Sequence, residues 1–240
     1  MQSNLYNSND LNMKLRLIEK HNITSDVVSF VFEPEEPVSW QAGQYFHYLL
    51  PHDKEDERGH ERWFTNSAAP SEKHIMITTR ITSEKGSSFK QALLNLEPGS
   101  EVEADGPKGS FVVDDPVRNY IFVAGGIGVT PFRSILVEAS DQNQQLKVDL
   151  LYGNRAGEIP FKEELENLAS KNPSLKIEYI TDPQRIDAEL IKERVDTTEN
   201  PLVYISGPKP MVIDLAEKLK SLGVSEDIIK TDNFPGYENY

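Results

Sequence analysis

The sequence predicts two domains of different class, an antiparallel β-barrel followed by a parallel, doubly wound α/β sheet. Up to about Asp115, short β-rich runs are separated by turns, which is typical of barrels and sandwiches. After the break at Asp114-Asp115-Pro116, apolar runs alternate with helical patterns, which is typical of a parallel sheet. Between the two patterns, residues 120–136 read YIFVAGGIGVTPFRSIL, an apolar strand, a glycine turn and a helix.

The first domain is predicted to span residues 13–115. Its strands are β-rich runs bounded by turn residues, and we expect them at Lys14–Lys20, Val27–Glu33, Gln44–Leu50, Arg62–Ser67, His74–Ile81 and Glu101–Ala104. One helix is expected at Ser88–Leu96, because apolar residues recur there at helical spacing and Pro98-Gly99 ends the pattern. Residues 1–12 are expected to form a mobile tail.

The second domain is predicted to span residues 116–240. Short apolar runs predict its strands at Tyr120–Ala124, Val148–Tyr152, Ile177–Thr181 and Val203–Ser206. Helical patterns between these runs predict helices near Pro131–Ser140, Phe161–Ser170, Asp187–Val195 and Pro210–Leu222. Gly223 is expected to end the last helix, because glycine adopts the left-handed conformation that helix ends require.

The composition is that of an ordinary globular protein, with 38% hydrophobic and 27% charged residues. The 39 Asp and Glu residues outnumber the 25 Lys and Arg, and the net charge of −14 disfavours nucleic acid and anionic membranes as partners. The absence of cysteine excludes disulfides, thiol catalysis and cysteine-ligated clusters. No apolar run approaches the ~20 residues of a membrane span, and the polar start lacks a signal-peptide pattern. We therefore expect a cytoplasmic location and no membrane span.

The glycine turn after the first strand of the second domain predicts a phosphate-binding loop. Gly125, Gly126 and Gly128 allow main-chain N–H groups to approach a ligand closely. Thr130 is suited to be the N-cap of the following helix and Pro131 its first residue. The exposed amides of such a helix attract the pyrophosphate of a dinucleotide. A glycine turn without a ligand is the alternative.

The stretch Arg62-Trp63-Phe64-Thr65-Asn66-Ser67 combines a cation, aromatic rings and hydroxyl groups. An arginine fork binds phosphate, an aromatic ring stacks on a planar heterocycle, and a hydroxyl hydrogen-bonds a ring nitrogen. Strand alternation places Arg62, Phe64 and Asn66 on one face, unless a bend intervenes. A barrel strand with a surface arginine is the alternative interpretation.

Three other segments combine turn residues with polar side chains. Gly86-Ser87-Ser88 precedes the helix of the first domain and predicts a second anion site, with Ser88 as the helix cap. Ser206-Gly207-Pro208 follows the last predicted strand, at the sheet edge where open α/β folds bind ligands. Plain capping and a plain turn are the alternatives. His52–Glu61 mixes two histidines with both charge signs, and we interpret it as a solvated hairpin loop rather than a metal site.

Taken in order, these motifs resemble the ferredoxin–NADP reductase superfamily. The segments are RWFTNSAAP, KGSSF, GPKGSF, VAGGIGVTPFRSIL and YISGPKPM, followed by an aromatic C-terminus, and the resemblance runs from about Met13 to Tyr240. It implies a flavin-binding barrel followed by a pyridine-nucleotide domain, with FAD rather than FMN. The implied activity is transfer of a hydride from NADH or NADPH to FAD N5, with electrons passed onward to an unidentified acceptor. The alternative is an electron-relay or regulatory flavoprotein subunit that is active only within a larger complex.

The resemblance also implies roles for individual residues. In the barrel, Arg62 would hold flavin phosphate, Phe64 would pack on the isoalloxazine and Thr65 would hydrogen-bond flavin N5. The ribityl and pyrophosphate groups would be lined by Thr79, Gly86, Ser87 and Ser88. In the second domain, the dinucleotide would be cradled by Gly126, Gly128 and Thr130 and its nicotinamide end bordered by Gly207 and Pro208. Phe234 or Tyr237 would cover the flavin.

The sequence departs from the family pattern in two places. Ser206 stands where many members have a cysteine near the transfer site. Serine keeps the size and can hydrogen-bond, so we expect hydride transfer to survive, with the nicotinamide placement open to change. Thr181-Asp182 stands where NADP-using members have Ser-Arg. A carboxylate accepts hydrogen bonds from ribose hydroxyls and repels a 2′-phosphate, so Asp182 favours NADH. Arg155 and Arg185 are near enough in sequence to offer a cation to a 2′-phosphate, so NADPH stays an alternative cofactor. The acidic charge argues against an acidic ferredoxin or flavodoxin as acceptor.

Overall fold

The computed structural model describes residues 13–81, 86–155 and 157–234. Its N-terminal part is a curled, six-stranded antiparallel sheet made of β1 (Met13–Asn22), β2 (Val27–Pro34), β3 (Tyr45–Leu49), β4 (Glu61–Thr65), β5 (Ile75–Arg80) and β6 (Glu101–Lys108). The strand order is β4-β3-β6-β1-β2-β5. Just beyond β4, the N–H of Ser67 donates to Met76 O of β5 at 2.9 Å, which draws the two edge strands together. The predicted antiparallel barrel class is confirmed.

The interior of this sheet is filled by large apolar side chains on alternate strand positions. Phe30 and Phe32 of β2 are completely buried with Leu17 of β1. The helix α1 (Ser88–Asn95) adds Phe89 and Leu93, which lie four residues apart and therefore share one helix face. The helix thus covers the core that the strands leave open.

The C-terminal part is a five-stranded parallel sheet. Its strands are β7 (Asn119–Gly125), β8 (Lys147–Asn154), β9 (Leu175–Thr181), β10 (Pro201–Pro208) and β11 (Ile229–Phe234), in the order β11-β10-β7-β8-β9. The connecting helices are α2 (Thr130–Asp141), α3 (Lys162–Lys171), α4 (Ala188–Thr197) and α5 (Lys209–Ser221). Within the described ranges, no helix combines the length and the apolar character needed to cross a bilayer.

The helices lie on both faces of this sheet. Phe122 of β7 packs in one cluster with α2 and α3, whereas its neighbours Ile121 and Val123 pack in another with α4 and α5. Because successive strand residues point to opposite faces, two apolar layers form. The predicted doubly wound α/β class is confirmed.

The strand β11 was not predicted from the sequence. Its six residues, IKTDNF, are mostly polar, and the strand lies at the sheet edge, where β10 is its single partner within the described ranges. In the parallel register, Ser206 pairs with Asp232 and Pro208 with Phe234. An edge strand forms through its partner's backbone, so its own composition predicts it poorly.

A buried arginine of α2 connects the two sheets. Arg133 donates to Ser67 O at 2.9 Å, to Glu72 at 2.6 and 3.0 Å and to Glu164 at 2.9 and 2.7 Å. The next residue, Ser134, donates its hydroxyl to Ala68 O at 2.7 Å. These bonds attach the chain after β4 to the first helix of the parallel sheet, and so fix the junction between the sheets.

Candidate functional site

Polar side chains from both sheets gather where β4 ends. Thr65, the last residue of β4, donates its Oγ1 hydrogen to Asp232 Oδ2 of β11 at 3.4 Å. Ser206 is the register neighbour of Asp232 on β10 and is completely buried. Its Oγ makes no hydrogen bond of good geometry among the described residues, but the hydroxyl lies near enough to the Asp232 carboxyl group to lower the pKa of that group. The structure thus brings the two candidate catalytic residues, Thr65 and Ser206, to one carboxyl group.

Asp232 has an unusual protonation equilibrium. Burial raises the pKa of its carboxyl group to about 6, although the Thr65 and Ser206 hydroxyls act in the opposite direction. A carboxyl group that titrates this close to neutrality can hold a proton in one state of a site and release it in another.

Arg62 of β4 is 4% exposed, and its guanidinium binds an anion from its own chain. Its Nη2 donates to both carboxylate oxygens of Asp56 at 2.8 and 2.9 Å, and to Ser87 Oγ at 3.2 Å. Its Nη1 donates to three carbonyl oxygens, those of Arg58 and Gly59 in the loop before β4 and that of Glu61 at the start of β4. The predicted phosphate-binding arginine therefore lies in an anion site that a carboxylate fills.

The donors around Asp56 hold it as a carboxylate. Ser88 N donates to Oδ2 and Arg58 N to Oδ1, both at 2.9 Å. Burial acts to raise the pKa of Asp56, but these backbone donors and the Arg62 guanidinium outweigh it and lower the pKa to about 2. Because a phosphate oxygen is also an anionic acceptor, the same donors fit a flavin phosphate.

Ser88 is not the cap of α1, contrary to the sequence-based expectation. The helix begins at Ser88, its N-cap residue is Ser87, and the side chain of Ser87 makes no capping hydrogen bond. The N–H of Ser88 is instead satisfied by Asp56, while Ser88 Oγ accepts from Asp56 N at 2.9 Å and lies 2.9 Å from His52 Nε2. Most of residues 52–61 form the hairpin loop between the antiparallel strands β3 and β4, and all of them are exposed or half-buried, as expected. The loop also docks on α1, which was not expected, because buried Arg62 requires an anion.

Phe64 and Thr79 lie on neighbouring parts of the barrel. The Phe64 ring is 5.9 Å from the Tyr48 ring and 5.9 Å from the Phe89 ring, measured between centroids. Thr79 of β5 is buried. The strand predicted to reach Ser67 ends at Thr65, and the residues after it bend into the interior, so the expected alternation does not continue through Asn66.

Four buried polar atoms of this region have no hydrogen-bond partner among the described residues. They are Tyr48 Oη, Arg62 Nε, Asn66 Nδ2 and Ser206 Oγ. Unpaired buried polar atoms are rare in folded proteins, and a bound ligand or water commonly supplies the partner. The cluster therefore fits a cofactor site that extends from β3 and β4 to the end of β10.

The glycine turn after β7 leads directly into a helix. Residues 126–129 form a 3₁₀ turn, and α2 continues from Thr130, so Val129 is already helical. The prediction that Thr130 is an N-cap was wrong, and Thr130 is buried as the first α-helical residue. Gly126 has φ +55°, and the nearest atom to a Cβ added there would be Asn154 Oδ1 at 4.0 Å. Its surroundings are open enough for a ligand to approach.

Gly128 and Gly207 bring the turn against β10. A Cβ at residue 128 would lie 2.3 Å from Ser206 O, and one at residue 207 would lie 3.2 Å from the Gly125 backbone. Close packing of the chain on itself is thus sufficient reason for both glycines. Pro208 ends β10 opposite Phe234. Tyr237 lies outside the described residues.

Asp182 lies at the same carboxyl edge of the parallel sheet. It directly follows β9, whose last residue pairs with Asn154 of β8, next to the glycine turn. Its side chain is 42% exposed, and its Oδ1 lies 3.6 Å from Nη2 of Arg185. Arg185, one of the two arginines that leave NADPH as an alternative cofactor, is therefore the ion-pair partner of Asp182 in this structure.

Sequence reasoning missed two carboxylates. Asp56 was grouped with the surrounding charges, and nothing in the charge run distinguishes it from its exposed neighbour Asp53. Asp232 lies in a strand that was not predicted. Apolar residues at the two ends of that segment, Ile229 and Phe234, are the strand signal it carries, and they do not show that Asp232 faces a site.

Two domain families match the chain. The family of the oxidoreductase FAD-binding domain matches residues 14–113, and that of the oxidoreductase NAD-binding domain matches residues 122–217. The first range contains Arg62 and Asp56, and the second contains the glycine turn and Asp182.

Individual proteins match the chain at low sequence identity. Flavohemoprotein A of Dictyostelium discoideum is 26% identical over 230 residues, which cover 88% of this chain and 57% of the relative. NADH-cytochrome b5 reductase 1 of the same organism is 31% identical over 153 residues, 57% of this chain and 52% of the relative. The chain thus spans little more than half the length of these relatives. Ferredoxin-NADP+ reductase from Plasmodium falciparum has the same fold, with a TM-score of 0.77, 18% identity, and coverage of 93% of this chain and 96% of the other.

Proposed function

Since this chain belongs to the ferredoxin–NADP reductase superfamily, with an FAD-binding and an NAD-binding domain, we propose that it passes electrons from NADH, or less readily NADPH, through FAD to a separate acceptor. The contact of Thr65 with Asp232 is the observation that supports this most strongly. It places the end of the predicted flavin strand against the carboxyl edge of the nucleotide-binding sheet. We propose that the boundary between the two domains lies between residues 115 and 116.

The barrel supplies the groups proposed to hold FAD. Arg62, Ser87 and the N–H of Ser88 form the anion site for its phosphates. Phe64 offers a ring face to the isoalloxazine, and Thr65 a hydroxyl to its N5. Gly86 and Thr79 lie in the adjoining segments, where we place the ribityl chain.

The parallel sheet supplies the groups proposed to hold the nicotinamide nucleotide. The turn formed by Gly126 and Gly128, with Thr130 behind it, receives the pyrophosphate at the start of a helix. Gly207 and Pro208 border the nicotinamide end, and Phe234 lies at the end of the adjacent strand. Asp182 is placed at the adenosine ribose.

When bound together, the nicotinamide and the flavin supply a two-electron hydride exchange, and the flavin can release electrons singly. The protein contributes placement, because hydride transfer requires near contact of donor and acceptor atoms. We assign that placement to Thr65 on the flavin side and Ser206 on the nicotinamide side. Asp232 accepts the Thr65 hydroxyl hydrogen and so orients that hydroxyl, and it can take up a proton beside it as the pH falls through about 6, because burial raises its pKa.

The acceptor is proposed to be a haem protein. The names of two relatives, a flavohemoprotein and a cytochrome b5 reductase, support this. Because the chain spans about half the length of those relatives, the acceptor domain is expected on a partner or on another part of a longer protein. The relay alternative, turnover only within a complex, is favoured by the same observation.

An absorbance-monitored titration of the purified protein tests this proposal. The protein is expected to be yellow, to bleach with NADH at lower concentrations than with NADPH, and to reduce ferricyanide rapidly. A flavin that bleaches without rapid turnover of the dye would favour the relay. A protein that binds no flavin at all would contradict both.

A further inference from the structure

The loop between β3 and β4 places a carboxylate where the flavin phosphate is proposed to bind. Asp56 accepts four hydrogen bonds, two from Arg62 and one each from the N–H groups of Arg58 and Ser88. Its own N–H donates to Ser88 Oγ. The carboxylate therefore uses the arginine fork and the first N–H of α1, the two features that make the site attractive to a phosphate.

Arg62 has little left to offer a ligand in this arrangement. Its Nη1 faces three carbonyl oxygens, and its Nη2 faces Asp56 and Ser87. The remaining donor, Nε, is buried and has no partner among the described residues. A phosphate can bind both Nη groups of Arg62 only if Asp56 leaves. We call the loop closed when Asp56 is bound to Arg62, as it is in this structure. The unsatisfied Nε shows that the closed loop does not use every donor of the arginine.

We propose that Asp56 is an internal competitor of the flavin phosphate, and that the loop of residues 51–60 releases Arg62 and α1 when a phosphate-bearing flavin binds. The inference rests on the proposed function, since it requires Arg62 to hold the phosphate. Most residues of the loop are exposed, including Asp53 and Glu57, so the loop can move without opening the core. Its docking depends on Asp56, on the bond between His52 and Ser88, and on the Arg58 and Gly59 carbonyl oxygens that accept from Arg62.

This arrangement predicts which flavins are affected. When only a fraction of the protein molecules is in the conformation that can bind a ligand, the observed affinity is lower by that fraction. FAD and FMN both carry phosphate, so the closed loop weakens the binding of both, whereas riboflavin has no phosphate and does not need the site. Asp56 would thus make flavin binding more reversible without contacting the flavin ring.

Flavin titration of the flavin-free protein tests the competition directly. By quenching of flavin fluorescence, Asp56→Ala is expected to bind FAD and FMN at least about fivefold more tightly than wild type, with riboflavin changed less than about twofold. Asp53→Ala, which removes an exposed carboxylate from the same loop, should match wild type. Asp56→Asn keeps the size and should shift the affinities in the same direction by less.

Hydrogen exchange gives a readout that does not depend on the variants. In wild type, FAD should speed exchange of the Asp56 and Arg58 amides, which donate to Ser88 Oγ and Asp56 Oδ1 in the closed loop. Riboflavin should leave them unchanged. Slower exchange of both amides on adding FAD would overturn the proposal.

The outcomes separate this inference from the function on which it rests. If Arg62→Ala weakens FAD binding but Asp56→Ala leaves it unchanged or weaker, the competition is wrong and the flavin function stands. If Arg62→Ala leaves FAD affinity unchanged, the phosphate does not bind there and the inference fails with that placement. If wild type binds none of the three flavins, the proposed function itself fails.

Discussion

Thr65 and Asp232 join the edge strand of the antiparallel sheet to the edge strand of the parallel sheet, with 3.4 Å between Oγ1 and Oδ2. They lie 167 residues apart in the chain. A carboxyl group at a junction between sheets is costly when charged, because burial removes part of its hydration. The junction is therefore sensitive to the protonation state of one residue, and this has consequences for both stability and electron transfer.

Asp232→Asn is expected to stabilise the protein at pH 8 and not at pH 4. The folded-state pKa of about 6 lies above the unfolded value, so the folded state binds this proton more tightly and gains stability as pH falls through 6 toward ~3.9. Above pH 6 the charged carboxylate costs about 2–3 kcal/mol, which asparagine removes. Urea unfolding at the two pH values measures the difference. Asp227→Asn, on an exposed residue nearby, is the control; an equal effect of both variants would contradict the prediction.

The same variant should alter the reaction. Because Asp232 orients the Thr65 hydroxyl, Asp232→Asn should slow flavin reduction by NADH and remove a break near pH 6 from its pH profile. Stopped-flow reduction between pH 5 and pH 8 measures this. A slower rate with the break retained would assign the titration to another group.

Arg62→Ala should weaken FAD binding. Loss of a charge-assisted phosphate contact costs ~1.5–3 kcal/mol, or about ten- to hundredfold in affinity. Equilibrium titration with FAD measures the loss, and mass spectrometry of the released flavin identifies FAD or FMN. Arg58→Ala is the matched control, because Arg58 contributes backbone groups to the site while its side chain is exposed.

The fold was largely predictable because its signals are local. The run around Phe122 is apolar, and the pattern of Phe89 and Leu93 is helical, so each element follows from a few adjacent residues. The strand containing Asp232 was missed because it lies at an edge and pairs through its backbone. Its existence depends on β10 rather than on its own composition.

The site was predictable only in part, for a related reason. Arg62 and the glycine turn have recognisable chemistry, whereas Asp56 belongs to a charge run that is usually solvated. What distinguishes Asp56 is the buried guanidinium beneath it, and burial of Arg62 depends on the whole barrel. A sequence pattern can therefore indicate the arginine but not its partner.

Arg133→Met should destabilise the protein strongly. Arg133 is 6% exposed and lies between Glu72 and Glu164, so its removal leaves two facing carboxylates without a cation and costs about 3–5 kcal/mol. Thermal and urea unfolding at pH 7 measure this loss. Arg16→Met, which breaks an exposed pair with Glu33, should cost no more than about 1 kcal/mol.

The stability that Arg133→Met loses relative to wild type should also depend on pH. Burial acts to raise the pKa of Glu72, but hydrogen bonding and charge from Arg133 outweigh it and lower the pKa. The stability from Glu72 is therefore complete above its unfolded pKa of ~4.3 and is lost as pH falls through the lower folded value. The difference between wild type and Arg133→Met should narrow on acidification below ~4.3. A difference that is constant from pH 7 to pH 3 would show that packing, not the ion pair, is lost.

Asp182→Ser should narrow the preference for NADH, chiefly by improving NADPH. If the Asp182 carboxylate meets the adenosine ribose, a 2′-phosphate brings a second anion into the same space. Two unit charges ~4 Å apart at an effective dielectric near 20 repel by about 4 kcal/mol, which exceeds the value of one hydrogen bond. Arg185, 3.6 Å from Asp182, would be released by the substitution and could then face the phosphate. Values of kcat/KM with both nucleotides measure the ratio, and Glu189→Gln, an equal charge change on the exposed side of α4, is the control. A wild-type preference for NADPH, or a ratio that Asp182→Ser leaves unchanged, would mean that the ribose lies elsewhere along this edge of the sheet.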